Sequence, residues 1–317
     1  MHMRASILIA ALFLWNCTPQ EPHREPVLPP NVFEETPKEA SEAQETENLD
    51  LEAPKLDPLS QKSKKDIQKW FRIIGPIQPN ESFGELITRA ARFQLNKPYL
   101  NPDQSSGPEI LDTTLETFQC VSLVETSLAL ARCLWVGTPN PRCYRDEVAA
   151  TRYRDGRMGG YVTRLHYFYD WLEDNTQRER LAWMTESLGG KRVFRKFSIM
   201  SANPDKYPAL ADPLIFAQIK SLEDSLNEYE LFWIPTAEIE KIQSQFKEGD
   251  IVGVIGNTKG ILISHTGLVS YGHDKKPHYL HASSHHKRVV FTPGTIAEYM
   301  KSQKKRKGIV VARPLAP

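Results

Sequence analysis

The sequence predicts an α+β domain in which helices come first and an antiparallel sheet follows. Two patterns carry this. Apolar residues recur at three- and four-residue spacing in Asp66–Ile74, Ser82–Leu95 and Thr117–Cys133, which is helical periodicity. After Gly249-Asp250 the pattern changes to short β-branched runs separated by turn-forming residues. A third observation places the domain at residues 61–317, because the acidic, proline-rich stretch before it cannot bury enough apolar surface to join a core.

Residues 1–17 read as an export signal. Arg4 supplies the positive start, and Ile7 to Trp15 is an apolar run too short to remain as a membrane-spanning helix. Leu14-Trp15-Asn16-Cys17 is similar to the lipobox of bacterial lipoproteins, with Leu14 in place and Trp15 and Asn16 where small residues are usual. Cys17 is therefore expected to carry a lipid that anchors the protein to a membrane of the bacterial cell envelope; an ordinary cleaved signal is the alternative. Residues 18–60 hold eight prolines and eleven acids against three Lys and Arg, a net charge of −8. They are expected to be a disordered tether. Fully extended it would reach at most ~150 Å, and as a flexible coil roughly 35–40 Å. Residues 61–317 carry 36 Lys and Arg against 28 acids, a net of +8, with no basic-aromatic motif to make nucleic acid an expected partner.

Within the domain, Asp66–Ile74 is amphipathic, and Ser82-Phe-Gly-Glu85 has capping-box spacing at the start of a second helix. Asn96 to Pro108 is turn-rich, and residues 144–172 are dense in Arg, Tyr and Gly. Ala209–Ser244 reads as mostly helical, interrupted by Trp233-Ile-Pro235. Strands are expected at Ile251–Ile255, Ile261–Tyr271, Tyr279–Ser283, Lys287–Phe291 and Ile309–Ala312. The basic run Lys301–Lys307 reads first as a solvated helix end and second as a contact for an anionic surface.

Cys120 is the residue around which a chemical reading forms. Val121, Val124, Leu128 and Ala131 give its helix an apolar face, and Thr117 as N-cap would put the thiol in the first turn. Unpaired amides and the helix dipole there favour an anion, so a nucleophilic thiolate more acidic than a free thiol is expected. A small buried core residue is the competing reading. A thiolate nucleophile needs an imidazole to move protons and a third group to orient it. Of nine histidines, His265 and His281 fall in adjacent strands. If Tyr271 pairs with Pro277 around a five-residue loop, His281 lies opposite Gly267. The two imidazoles are then diagonal neighbours on one face, about 7–8 Å apart at the backbone; a six-residue loop separates them. His273, His278, His285 and His286 lie in or beside turns. No metal or other cofactor is expected, since neither His-Glu-x-x-His nor paired Cys-x-x-Cys spacing occurs.

Gln119-Cys-Val-Ser-Leu-Val-Glu-Thr126, Gly249-Asp-Ile-Val252, Ser264-His-Thr-Gly267 and Leu280-His-Ala-Ser-Ser284 occur in the order found in NlpC-type, papain-like cysteine peptidases. Tyr153-Arg-Asp-Gly156, Gly160-Tyr-Val-Thr-Arg-Leu-His-Tyr167 and Ser187-Leu-Gly-Gly190 make the chain resemble the N-acetylmuramoyl-L-alanine amidase-like branch of that superfamily, over roughly residues 82–313. The resemblance implies a papain-like fold with the catalytic helix packed on an antiparallel sheet. It implies Cys120 as nucleophile, His265 as base, His281 as orienting residue and Tyr99 near the oxyanion site. The implied partners are peptidoglycan fragments, and the implied reaction is hydrolysis of the amide joining N-acetylmuramic acid to L-alanine. Gln119 stands where an acid is usual, and residues 96–106 lack expected glycines, which bears on pocket shape. An endopeptidase cutting within the stem peptide and a non-catalytic wall-binding lipoprotein stay open as alternatives.

Arg164, His166 and Tyr167 are candidates for gripping a stem carboxylate and a sugar face; a packed aromatic helix with a surface arginine is the other reading. With Cys17 lipidated, Cys120, Cys133 and Cys143 remain. One free nucleophile plus a Cys133–Cys143 disulfide is the simplest expectation for an exported protein, against a buried Cys133 with a reduced, exposed Cys143.

Overall fold

A computed structural model describes residues 59–100 and 109–317. The export signal, the tether and Cys17 lie outside the described residues, as does part of the turn-rich segment after Asn96.

The first helix, α1 (Gln61–Ile74), starts earlier than its periodicity suggests, because Ser60 Oγ caps it by accepting from the Ser63 amide at 3.0 Å. Its apolar stripe of Ile67, Trp70, Phe71 and Ile74 begins only after a run of lysines. Helix α2 (Phe83–Arg92) has the expected capping box, in which the Ser82 amide donates to Glu85 at 2.7 Å and Glu85 N donates to Ser82 Oγ at 3.3 Å. Helix α3 (Cys120–Trp135) follows, then α4 (Pro141–Arg152), capped by Asn140 with proline at its first position. The aromatic segment contributes α5 (Phe168–Gln177). Residues 209–244 are less helical than their pattern implies: α6 (Pro213–Leu226) and the single turn α7 (Ile239–Ile242) flank a strand. Helix α8 (Ile296–Lys301) has its own capping box on Thr295.

The strands are β1 (Leu181–Trp183), β2 (Lys191–Val193), β3 (Leu231–Pro235), β4 (Ile251–Ile255), β5 (Ile263–Tyr271), β6 (Pro277–Ser283), β7 (Arg288–Thr295) and β8 (Gly308–Pro314). They form one antiparallel sheet of order β2-β3-β8-β4-β5-β6-β7, with β1 also paired to β8. The five C-terminal strands are those the sequence predicts. Strands β1 and β2, three residues each, carry too little pattern to read, and β3 is Trp233-Ile-Pro235 turned from a helix interruption into a strand.

Alternate residues of β4 and β8 feed two different cores. Ile251, Ile255, Val310 and Ala312 face a large cluster shared with α1 to α6. Val252, Val254, Ile309 and Val311 face a smaller one closed by Ile239, Ile296 and Met300 from α7 and α8. Burial on both faces explains why β4 reads as a continuous apolar run rather than an alternating one. The turn before β4 meets α2 backbone to backbone. A Cβ on Gly249 (φ 83°) would lie 2.6 Å from Gly84 Cα, so both positions require glycine.

Helix α3 sits between α2, α4 and the strands β5 and β6. Its periodicity predicts one apolar face, yet every residue from Leu123 to Ala131 is buried. The polar ones are satisfied internally: Glu125 accepts from Arg152 at 2.8 Å and from Trp171 Nε1 at 3.2 Å, and Ser127 Oγ donates to the Leu123 carbonyl at 2.7 Å. Cys133, near its end, is disulfide-bonded to Cys143 in the first turn of α4, with Cα atoms 5.9 Å apart. Cys120 is the free cysteine among the described residues.

Candidate active site

Helix α3 begins at Cys120, with Gln119 as N-cap rather than Thr117. A local reason is visible in the backbone. Phe118 bridges Tyr99 in parallel, the Phe118 amide donates to the Pro98 carbonyl at 3.0 Å, and Leu100 N donates to the Phe118 carbonyl at 2.9 Å. That bridge holds the chain extended until Gln119, whose amide donates to Ser122 Oγ at 2.9 Å. The Cys120 and Val121 amides have no intrahelical acceptors and act on the Cys120 thiol itself.

The hairpin register brings the imidazoles together. Tyr271 pairs with Pro277 and Leu268 with Leu280, so His281 falls opposite Gly267. His265 Nε2 and His281 Nδ1 share a hydrogen bond of 2.7 Å. Two features aim the rings. A bulge in the β4–β5 ladder falls at Ser264, where Val254 pairs with His265 but Ile255 with Ile263. Gly267 provides room, since a Cβ there would sit 2.6 Å from the Leu280 carbonyl oxygen and 2.7 Å from His281 Cβ. His281 is buried, stacked on Tyr279 at 4.8 Å between centroids and flanked by Tyr299 at 5.2 Å.

Both imidazoles are neutral at ordinary pH. Burial, and then the Arg306 guanidinium, lower His265 to about 4. His281 is lowered well below its usual range by burial first, then by His265 and Arg306. The half-buried Cys120 thiol is pushed up by burial. The amides of Thr266, Val121 and Cys120 act in the opposite, expected direction, but burial outweighs them, so the thiol is not the acidic one anticipated from its helix position. Among the described residues its hydrogen bonds are to backbone amides and not to an imidazole. With thiol and imidazoles all neutral, any nucleophilic use of Cys120 would require a base to remove its proton as attack occurs.

Residues 90–309 match the AmiA-like family, described as N-acetylmuramoyl-L-alanine amidase-like. The chain belongs to that family. The solved structure of an N-acetylmuramoyl-L-alanine amidase from Bacteroides uniformis ATCC 8492 is 30% identical to it, covering 73% of this chain and 98% of that one with a TM-score of 0.68. A proposed xylanase from Bacteroides fragilis is 29% identical, covering 70% of this chain and 98% of that one, with a TM-score of 0.65. A protein from Legionella pneumophila str. Philadelphia 1, 18% identical over 80% of this chain and 95% of that one, shares the fold at a TM-score of 0.61. No curated protein matches the chain.

In this AmiA-like domain Tyr99 lies near the thiol: its amide donates to the Lys287 carbonyl at 2.9 Å, and its phenol is raised by burial and then by Cys120. The other three sequence candidates are engaged in internal hydrogen bonds. Of the sequence candidates, His265 and His281 line a cleft of about 530 Å³, whereas Cys120, Tyr99, Arg164, His166 and Tyr167 do not. Arg164 Nη1 donates to Glu109 at 3.0 Å, and Glu109 also accepts from Tyr153 Oη at 2.8 Å. His166 Nε2 donates to the Tyr161 carbonyl at 2.8 Å and is lowered to about 4 by burial. Tyr167 is buried and donates to Glu223 at 2.5 Å. These bonds explain the Arg and Tyr density of residues 144–172 as internal ties: Tyr153 bridges Arg164, and Arg154 pairs with Asp170 at 2.5 Å.

Sequence reasoning missed four contributors: Tyr279 and Tyr299, which wall the His281 ring, Arg306, and the Thr266 amide beside the thiol. Tyr279 could have been found from its period-two relation to His281 on one strand face. Nothing local marks Tyr299, and Arg306 stands out only as a member of the basic run Lys301–Lys307; they arrive from α8 and the loop after it.

Proposed function

We propose that this protein is a cysteine hydrolase with a papain-like, NlpC-type site that cleaves the amide between N-acetylmuramic acid and L-alanine in peptidoglycan fragments. The observation that carries the reading is the 2.7 Å His265–His281 pair on the sheet against which the Cys120 helix packs. In the productive tautomer His265 donates Nε2–H to His281 Nδ1, which leaves His265 Nδ1 as the acceptor for the thiol proton. Cys120 Sγ attacks the carbonyl carbon, the Cys120 amide donates to the oxyanion, and His265 returns the proton to the leaving amine. Water activated by His265 then hydrolyses the thioester. Tyr99 supports the oxyanion side of the pocket.

Membership of the amidase-like family favours the sugar–peptide bond, and the peptidoglycan substrate follows from the same membership. Xylan cleavage would call for two carboxyl groups flanking the glycosidic bond, and the cleft beside the histidines is lined by none. Arg164, paired with Glu109 but with a side chain 41% exposed, is the most accessible of its trio to substrate; Tyr167 is committed to Glu223. Export to the bacterial envelope and a lipid on Cys17 complete the proposal, placing the domain on a tether near the wall. Digestion of a defined muropeptide, read by mass, tests the reaction. Wild type should release the intact stem peptide from the sugar and Cys120→Ala should release nothing while keeping its thermal stability. Fragments cut within the stem would replace the amidase by an endopeptidase, and full activity in Cys120→Ala would end the cysteine mechanism.

A further inference from the structure

The cleft beside the histidine pair has an unusual charge balance. Its lining includes Lys305, Arg306 and His285, with the hydroxyls of Ser264 and Ser284, and no Asp or Glu. Arg306 is held in place from several sides. Its guanidinium carbon lies 3.6 Å from the centroid of the Tyr299 ring. Nη1 donates to the Tyr299 carbonyl and to Ser302 Oγ, the latter at 2.8 Å. Its own amide and carbonyl are fixed to the Gln303 carbonyl at 3.0 Å and Thr236 Oγ at 3.1 Å. Nε and Nη2 have no acceptor among the described residues, and neither Arg306 nor Lys305 has an acidic partner there.

Arg306 has no counter-ion among the described residues, and its charge helps to keep the two buried imidazoles beside it neutral. The stacked, immobilised guanidinium with a free edge is the geometry that grips a carboxylate through two parallel N–H donors. We infer that this cleft is a carboxylate subsite in which Arg306, assisted by Lys305, takes a free carboxylate of the stem peptide and thereby sets the peptide against the His265–His281 pair. The inference rests on the peptidoglycan reading above and names the part of the substrate that enters this side of the site. It also gives the basic run Lys301–Lys307 a role beyond a solvated helix end.

The test uses binding, so that it does not depend on which bond is cut. The full chain bearing Cys120→Ala is titrated calorimetrically with a defined muropeptide, and with the same muropeptide whose stem carboxylates have been converted to carboxamides. The free-carboxylate form should bind at least about tenfold more tightly, in line with one charge-assisted bidentate contact. Adding Arg306→Gln should remove that preference by weakening the carboxylate form alone, and Arg306→Lys should restore part of it. Lys305→Gln, at an exposed position without protein partners, should narrow the preference about threefold and guards against misfolding of the Arg306 variants. Equal affinity for the two ligands, no binding of either, or Arg306→Gln weakening both alike would each overturn the subsite. The last result would mean that Arg306 only props Tyr299. Loss of the amidase reading would appear separately, in the product masses from the wild-type enzyme.

Discussion

Gly267→Ala is the smallest change that separates the histidine pair from its support. A Cβ built there lies 2.6 Å from the Leu280 carbonyl oxygen, 2.7 Å from His281 Cβ and 2.9 Å from Tyr279 Cε2. Two of those neighbours cannot rotate away, because one is backbone of the paired strand and the other is the root of the His281 side chain. Either β6 shifts outward or the His281 ring moves. Overpacking of this kind costs about 1–3 kcal/mol, and for a domain of this size each kcal/mol is worth roughly 2–4 °C. Misplacing a catalytic group by about 1 Å costs on the order of 100-fold in rate. Thermal unfolding should therefore show a loss of several degrees, and initial rates on a defined muropeptide should fall far more than stability does. The double variant Gly267→Ala/His281→Ala decides the route. If the alanine acts through His281, the double variant is no slower than His281→Ala alone. Wild-type stability and rate in Gly267→Ala, or independent losses that multiply in the double variant, would refute the reasoning.

Because burial holds His265 at about 4, the acid limb of kcat/KM should fall near that value and not near the ordinary 6.5, as a pH–rate profile would show. Stability follows the same sign: His265 and His166, both lowered to about 4, bind fewer protons folded than unfolded. Their contribution is full above about 6.5 and is lost progressively as pH falls towards 4, visible as a declining Tm. Glu125→Ala should cost about 3–5 kcal/mol in chemical denaturation, because it strands the buried Arg152 guanidinium; a loss below about 1 kcal/mol would show that water or another acceptor replaces the carboxylate. Reducing Cys133–Cys143, or replacing both by serine, opens a loop with a sequence separation of 10 and should lower stability by about 2–3 kcal/mol while leaving turnover of the folded enzyme intact. Peptide mapping without reductant checks that the bridge forms.

Local pattern made much of the fold legible. The capping box at Ser82, the helix carrying Cys120 and the five C-terminal strands all appear where period and turn chemistry place them. Harder cases share a physical cause. Three-residue strands such as β1 and β2 contain less than two periods of alternation, so no pattern can distinguish them. Trp233-Ile-Pro235 becomes a strand because β8 and β2 offer it hydrogen-bonding edges, which is a property of distant residues. The N-cap moved from Thr117 to Gln119 because Tyr99 bridges Phe118 and keeps the intervening backbone extended.

The sequence by itself determined which groups could do the chemistry. Cys120 falls in the first turn of a helix, and His265 and His281 lie in neighbouring strands where a one-residue change of register decides whether they meet. Tertiary structure chose between those registers: the Tyr271–Pro277 pairing sets both imidazoles on one face, where a shift of one residue would have sent them to opposite sides. It also decided the electrostatics. Helix position alone favours an acidic Cys120, but burial in the folded site raises the thiol and lowers the imidazoles. Desolvation depends on what all the other elements cover, and no stretch of sequence contains that information. The same holds for Arg306, a residue of a basic run until folding stacks it on Tyr299 beside the histidine pair.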